Sequence, residues 1–271
     1  MATSKSRKQK EEKIETLNNK ALEYFDKKKW NESAKIFRQI LDIDPNNLGA
    51  LVTGGGALSN AGKYKEALKF LNKALKIDQN DISALENKGI TLSKLRDKKS
   101  KKAALKCFDK ALEINPNRKN TISNKIDTLY EFGEYNEQLY KKALKLRIIS
   151  KFDYYHDKGV ELERKENFGE TIKLFKKALK LSPQNFHIIN HLAFDYFDIE
   201  NYSRSINYVD KLLKSNPKDI DVLVLKTKAM IKLKKYEEAV NLLNKLIRLD
   251  KRKALYHKRM KKSVLKLLKN D

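Results

Sequence analysis

A step of 34 residues recurs along this chain, and it constrains the fold more than any other feature. Trp30 and Tyr64 are separated by it, and Phe168, Tyr202 and Tyr236 repeat it. Gly55 and Gly89 keep the same spacing, as do Pro183 and Pro217 and the apolar series Phe175, Val209 and Leu243. A fixed period of this size marks a repeat array, in which each unit is one supersecondary element and neighbours must stack to cover its bare apolar side. At 271 residues the chain is long for one globular core but comfortable for such an array.

Within the period, apolar residues follow a helical spacing of 3.6. Leu51, Gly54, Gly55 and Leu58 mark the inner face of one helix, and Gly62–Lys63–Tyr64 makes a turn. Ala67, Leu71, Ala74, Leu75 and Ile77 then form the inner face of a second helix. Small side chains at Gly55 and Ala67 let the two helices approach closely. With 9 Gly and 4 Pro the sequence has too few turn residues for a many-stranded β protein. Its abundant Ala, Leu, Lys and Glu are strong helix formers.

Each unit closes on a polar residue and usually a proline: Asp44–Pro45–Asn46–Asn47, Asn115–Pro116–Asn117, Ser182–Pro183–Gln184–Asn185 and Asn216–Pro217–Lys218–Asp219. Proline cannot continue the preceding helix. With small residues in facing helices and an aromatic opening the second helix, the chain resembles the tetratricopeptide repeat family from about Lys13 to Lys251. That resemblance implies an all-α fold, a right-handed superhelical solenoid of antiparallel helix pairs.

About seven units are expected over residues 14–251, starting near Ile14, Leu48, Ile82, Lys119, Phe152, Phe186 and Ile220. Residues 1–13 read as a basic disordered tail, and 252–271 as a capping helix that covers the exposed end. Two units depart from the pattern. The third carries about three extra residues, read as a Lys-rich loop at Arg96–Lys101. The fourth has Ile126 in place of a small residue, a second helix expected to begin early, and Arg147–Ile148–Ile149 in place of a closing proline. A change in the superhelix or a hinge is expected there.

Charge is the second large fact. Against 35 acidic residues stand 60 Lys and Arg, a formal net charge of +25. Such an excess attracts polyanions, although a compositional bias towards Lys, Ile and Asn produces it too. The single Cys107 rules out an internal disulfide framework and suits packing in a reducing compartment. No run reaches the roughly 18–20 apolar residues of a membrane helix, and the N-terminus lacks the apolar stretch of a secretory signal. A cytoplasmic protein is expected.

In the family the chain resembles, first helices line a concave groove and second helices form the convex side. Sorted that way, the second helices carry the lysines, among them Lys69, Lys73, Lys76, Lys211 and Lys214. The candidate polyanion-binding residues are Lys173, Lys176, Lys177 and Lys180. The groove instead collects polar, aromatic and acidic side chains. Its candidate partner-binding residues are Asn87, Asn124, Tyr130, Asp157, His191, Phe194 and Phe197, with His187 and Asn190 beside them. Exposed aromatics need cover or a ligand. A groove clamp for an acidic C-terminal tail, which some members of the family use, is not expected: accompanying lysines are missing, and Glu86 and Asp127 would repel it.

Catalytic signatures are absent. Gly54–Gly55–Gly56 lacks the Lys and Ser/Thr of a phosphate loop, and no Gly-x-Ser-x-Gly nucleophile motif occurs. His187 and His191, at i, i+4, could meet His156, Asp153 and Asp157, but groove histidines more often contact peptide or water. Neither a metal nor a cofactor is expected, and the chain reads as a non-enzyme. The reading is an adaptor that holds a peptide or partner protein in its groove. One alternative is a nucleic-acid or ribonucleoprotein-associated factor using the lysine ridge. Another is self-association, using apolar pairs such as Val264–Leu265 and Leu267–Leu268.

Overall fold

The computed structural model describes residues 2–270 and is helical throughout. The chain divides into two compact units, Met1–Ile148 and Ile149–Asp271. The first holds α1 (Ala2–Asp26), α2 (Trp30–Ile43), α3 (Leu48–Asn60), α4 (Tyr64–Ile77), α5 (Ile82–Ser93), α6 (Lys98–Ile114), α7 (Lys119–Glu131) and α8 (Glu137–Lys145). The second holds α9 (Lys151–Arg164), α10 (Phe168–Leu181), α11 (Phe186–Asp198), α12 (Tyr202–Ser215), α13 (Ile220–Lys232), α14 (Tyr236–Leu249), a 3-10 turn (Lys251–Lys253) and α15 (Ala254–Asn270). These are the seven expected helix pairs and a final single helix. No described helix is long and apolar enough to cross a membrane.

Local chemistry sets where the helices start and stop. The turn inside every pair contains one left-handed residue: Lys28, Gly62, Arg96, Gly133, Glu166, Glu200 and Lys234, with φ between 56° and 77°. In several of these turns the amide that follows reaches back to the carbonyl five residues earlier, as Lys63 does to Leu58 at 2.8 Å. That bond satisfies a helix-end carbonyl in the Schellman manner. Only two of the seven turns use glycine, so the others accept a strained backbone of about 1 kcal/mol or more each to keep the helix pair closed. Between pairs, Asn47, Asp81, Asn185 and Asp219 cap the next helix by accepting from the amide three residues on, at 2.6–3.1 Å.

Close contact between paired helices is built from one small and one large residue. A Cβ added to Gly55 would lie 2.7 Å from Leu71, at Gly89 2.4 Å from Phe108, and at Gly159 2.5 Å from Phe175. The large partners are fully buried. Elsewhere a buried hydroxyl ties the pair: Ser33 donates to the Ala21 carbonyl at 2.9 Å, and Ser205 to that of Ala193 at 2.7 Å.

Several expectations change. Residues 2–13 are helical, continuing α1, because nothing in that stretch breaks a helix and Arg7 pairs with Glu11 one turn on. The extra residues of the third unit do not make a loop. Asp97 caps Ser100 at 2.9 Å, so Lys98–Lys101 become the first turn of a lengthened α6. In the fourth unit the second helix starts late rather than early, at Glu137, and is only 9 residues long. It ends on Arg147 in the left-handed region, φ 55°, where the other units use a capped extended turn. The division between the two compact units falls at this same place.

Lys261 occupies the small-residue position of α15, one period after Thr227, and donates to Asn244 at 2.7 Å. His257, buried in α15, bonds Asp250 at 2.9 Å and holds that carboxyl below its usual range.

Two glycines test the packing rule. Gly89→Ala is expected to destabilise the protein by about 1–3 kcal/mol through overpacking against Phe108. Gly169→Ala, with no atom within 4 Å of the added Cβ, is expected to be neutral or stabilising by up to about 1 kcal/mol. Urea unfolding of both variants reads the difference, and equal effects would contradict it.

Candidate functional site

The second unit carries a cleft of about 840 Å³ between α11 and α13, floored by the end of α12. Phe186, Phe194 and Phe197 form its wall on α11, with Val222, Val224 and Leu225 opposite on α13. The helical period puts Phe194 and Phe197 on one face of α11 because they are three residues apart. Phe194 is 37% exposed. Phe197 is partly covered, its ring 5.3 Å from Tyr202 in an edge-on arrangement. The lip is polar: Asp198, Asp219 and Asp221 supply three carboxylates, against Lys228 and, beside it, His187 and Asn190.

Behind Asp198 lies a second acidic layer. Asp195 is 1% exposed, and neither of its side-chain oxygens has a hydrogen-bond partner among the described residues. Burial first, then the adjacent Glu163 carboxylate of α9 and Asp198, push its pKa up to about 8. The same two causes, burial and Glu163, raise Asp198. Glu163 also accepts the contact of His191 Nδ1 at 2.9 Å. The acidic lip is thus continuous with the pair formed by buried Asp195 and half-buried Glu163.

The expected groove residues divide. Phe194 and Phe197 stand in the cleft with His187 and Asn190. His191, on the same helix, turns towards α9 instead: its ring packs 4.8 Å from Phe175 while Nδ1 meets Glu163. Asp157 bonds His156 at 2.7 Å within α9. Asp153 closes a capping box with Ser150. No group of three or more His, Cys, Asp or Glu among the described residues is arranged to hold a metal ion.

Asn87, Asn124 and Tyr130 belong to the first unit. The Asn87 amide donates to the Val52 carbonyl at 3.2 Å and so joins α5 to α3. Asn124 is half-buried, and Tyr130 is 41% exposed near the end of α7. Glu86, expected to repel an acidic tail, is buried and paired: Arg118 donates to both its oxygens at 3.1 and 3.0 Å, and Thr121 bonds it as well. Its charge ties α5 to α7 and is not presented to a ligand.

Many ridge lysines are engaged. Lys73 and Lys245 donate to the carbonyls of Pro45 and Pro217, the prolines of the preceding turns, at 2.6 and 2.7 Å. Lys173 pairs with Glu170 at 2.6 Å, and Lys177 lies 5.6 Å over the Tyr155 ring. Lys176 borders a separate hollow beside α12, and Lys180 is exposed. Cys107 is buried, which raises its thiol pKa.

Residue-by-residue reading missed Asp221, Val224 and Lys228. They stand one 34-residue step after His187, Asn190 and Phe194. Carrying the groove positions forward by one period finds them.

Sequence models described as tetratricopeptide repeat match residues 24–87 and 83–118. A third, described as anaphase-promoting complex, cyclosome, subunit 3, matches residues 164–246. No protein of curated function matches the sequence. Among solved structures, a tetratricopeptide repeat protein from Parabacteroides merdae ATCC 43184 is similar with a TM-score of 0.59 at 20% identity, over 94% of this chain and 98% of that one. The structure of Naa15/Naa10 bound to HypK-THB is similar with a TM-score of 0.59 at 16% identity, over 94% of this chain and 39% of that one. At these identities the structural likeness is one of fold.

The buried Asp195 sets a pH dependence. Its folded pKa of about 8 lies above its ordinary 3.8, so the folded state holds a proton that the unfolded state releases. The stability from this group is fully present below the ordinary value and is lost as pH rises through about 8. Asp195→Asn is therefore expected to flatten the fall in thermal midpoint between pH 5 and pH 8.5, and to exceed the wild type at pH 8.5. Equal loss of stability at every pH would contradict this.

Proposed function

The chain belongs to the tetratricopeptide repeat family, and from that premise we propose that it is a binding scaffold whose α11–α13 cleft holds a segment of a partner protein. The observation that carries this reading is the pairing of exposed aromatic side chains with a carboxylate lip in one cleft. Phe194 and Phe197 offer apolar area that is only partly covered, and burying it against a ligand drives association. Asp198, Asp219 and Asp221 outnumber Lys228, so the cleft favours a segment that carries a basic residue beside its apolar anchors. Solved structures of the same fold support protein binding in general, as with Naa15/Naa10 bound to HypK-THB. An acidic segment meets like charge here and is disfavoured.

Affinity in such a cleft comes from a few anchors, with the polar rim fixing register. Panning a displayed random-peptide library against the full-length protein is expected to enrich an aromatic or branched apolar residue next to Lys or Arg. Phe194→Ala should weaken the selected peptide by about 10- to 100-fold, the range for losing one buried aromatic anchor. Phe194 is exposed in the free protein, so thermal stability should hardly change. Selection of acidic peptides, or binding indifferent to Phe194→Ala, would sink the proposal.

A further inference from the structure

We propose that the hollow between α10 and α12 is a phosphate-binding site for single-stranded nucleic acid. It lies apart from the α11–α13 cleft, measures about 600 Å³ and is rimmed by Lys176, Arg204, Lys211 and Lys214. None of these four cations is ion-paired with a described residue, in contrast to Lys173, which is held by Glu170. The hollow contains one carboxylate, Asp210, and Lys226 engages it at 2.6 Å. Four positive charges therefore converge on one concavity with no acidic group free to neutralise them.

The floor holds part of this charge in place. Tyr196 and Tyr208 stack with centroids 5.6 Å apart and planes within 11°. The Arg204 guanidinium sits 5.6 Å from the Tyr196 centroid, and Lys211 Nζ sits 5.1 Å from that of Tyr208. Cation–π contact orders these two side chains without consuming their charge, so less entropy is lost when an anion arrives. Burial raises the pKa of the Tyr208 phenol, which therefore stays protonated and able to donate.

An extended polyanion fits better than a lone anion. Lys180, one turn after Lys176 on the same face of α10 and exposed, extends the positive charge beyond what one phosphate could use. Three of the four rim cations are lysines, point charges on flexible stems that adapt to the variable phosphate spacing of a single strand. Tyr196 is buried, and Tyr208 is flanked by Tyr196 and Lys211. No ring is left to stack a base, so recognition is of backbone phosphate with little sequence preference.

Fluorescence anisotropy of the full-length protein with a labelled oligouridylate of about 20 nucleotides, across a salt series, tests this. The wild type should bind, with affinity falling on a log–log slope near −3, since each phosphate neutralised on a single strand contributes about −0.7 and four cations contribute. Arg204→Glu with Lys211→Glu should weaken binding at least about 10-fold and make the slope shallower. Lys258→Glu with Lys262→Glu on α15 removes equal charge elsewhere in the same unit and should change binding less than about 3-fold. Circular dichroism checks folding, and Lys176→Gln with Lys214→Gln gives the same reading should the charge reversal unfold the chain. No binding at low salt, equal loss from both pairs of reversals, or tighter binding of a multiply phosphorylated peptide of matched charge would overturn the proposal.

Discussion

Outside the fourth unit, where Ile126 takes the small-residue position, helix pairs in this protein depend on one steric arrangement: a small residue on the first helix received by a large apolar residue on the second. Gly89 against Phe108 and Gly159 against Phe175 leave no room for even a methyl group. That contact fixes how deeply two helices approach, and stacking of pairs within each unit then buries the clusters around Leu71, Phe108, Phe175 and Leu243. Interiors are packed as densely as organic crystals, so the spacing propagates along each unit without slack. The left-handed residue in every turn is the backbone consequence. Five non-glycine residues accept that conformation in the turns inside the pairs because the packed helices on both sides demand it.

How much of this was legible depended on the kind of interaction. Helix starts at Leu48, Ile82, Lys119, Phe186 and Ile220 could be read because caps and the 34-residue period are local and repeated. A departure from the period is a weaker guide, because local capping decides whether extra residues loop out or join a helix. Lys98–Lys101 extends a helix because Asp97 happens to cap it, and residues 2–13 extend α1 because nothing stops them. Side-chain direction was harder still. Glu86 and His191 occupy ligand-facing registers by period, yet Arg118 and Glu163 on neighbouring helices draw them inward. Such pairings lie 28 to 32 residues apart and belong to no short motif.

The charge excess resolves into distinct chemical settings. Part of it is structural, as where Lys73 and Lys245 reach back to the proline turns. Another part gathers beside the stacked Tyr196 of α11 and Tyr208 of α12, while three carboxylates line the aromatic cleft of α11 and α13. In the second unit the two helix faces are therefore opposite in sign and differ in apolar content. A net charge for the chain conceals this separation, which follows from a repeat that presents its two helices to different surroundings.

The central claim is that the α11–α13 cleft is where a partner segment binds. Hydrogen exchange of the full-length protein, with and without a saturating basic–aromatic peptide selected on it, tests this most directly. The account predicts added protection in α11, the end of α12 and α13, with the first unit unchanged. Protection confined to α10 and α12, or spread over the first unit while α11 and α13 stay as they were, would contradict it.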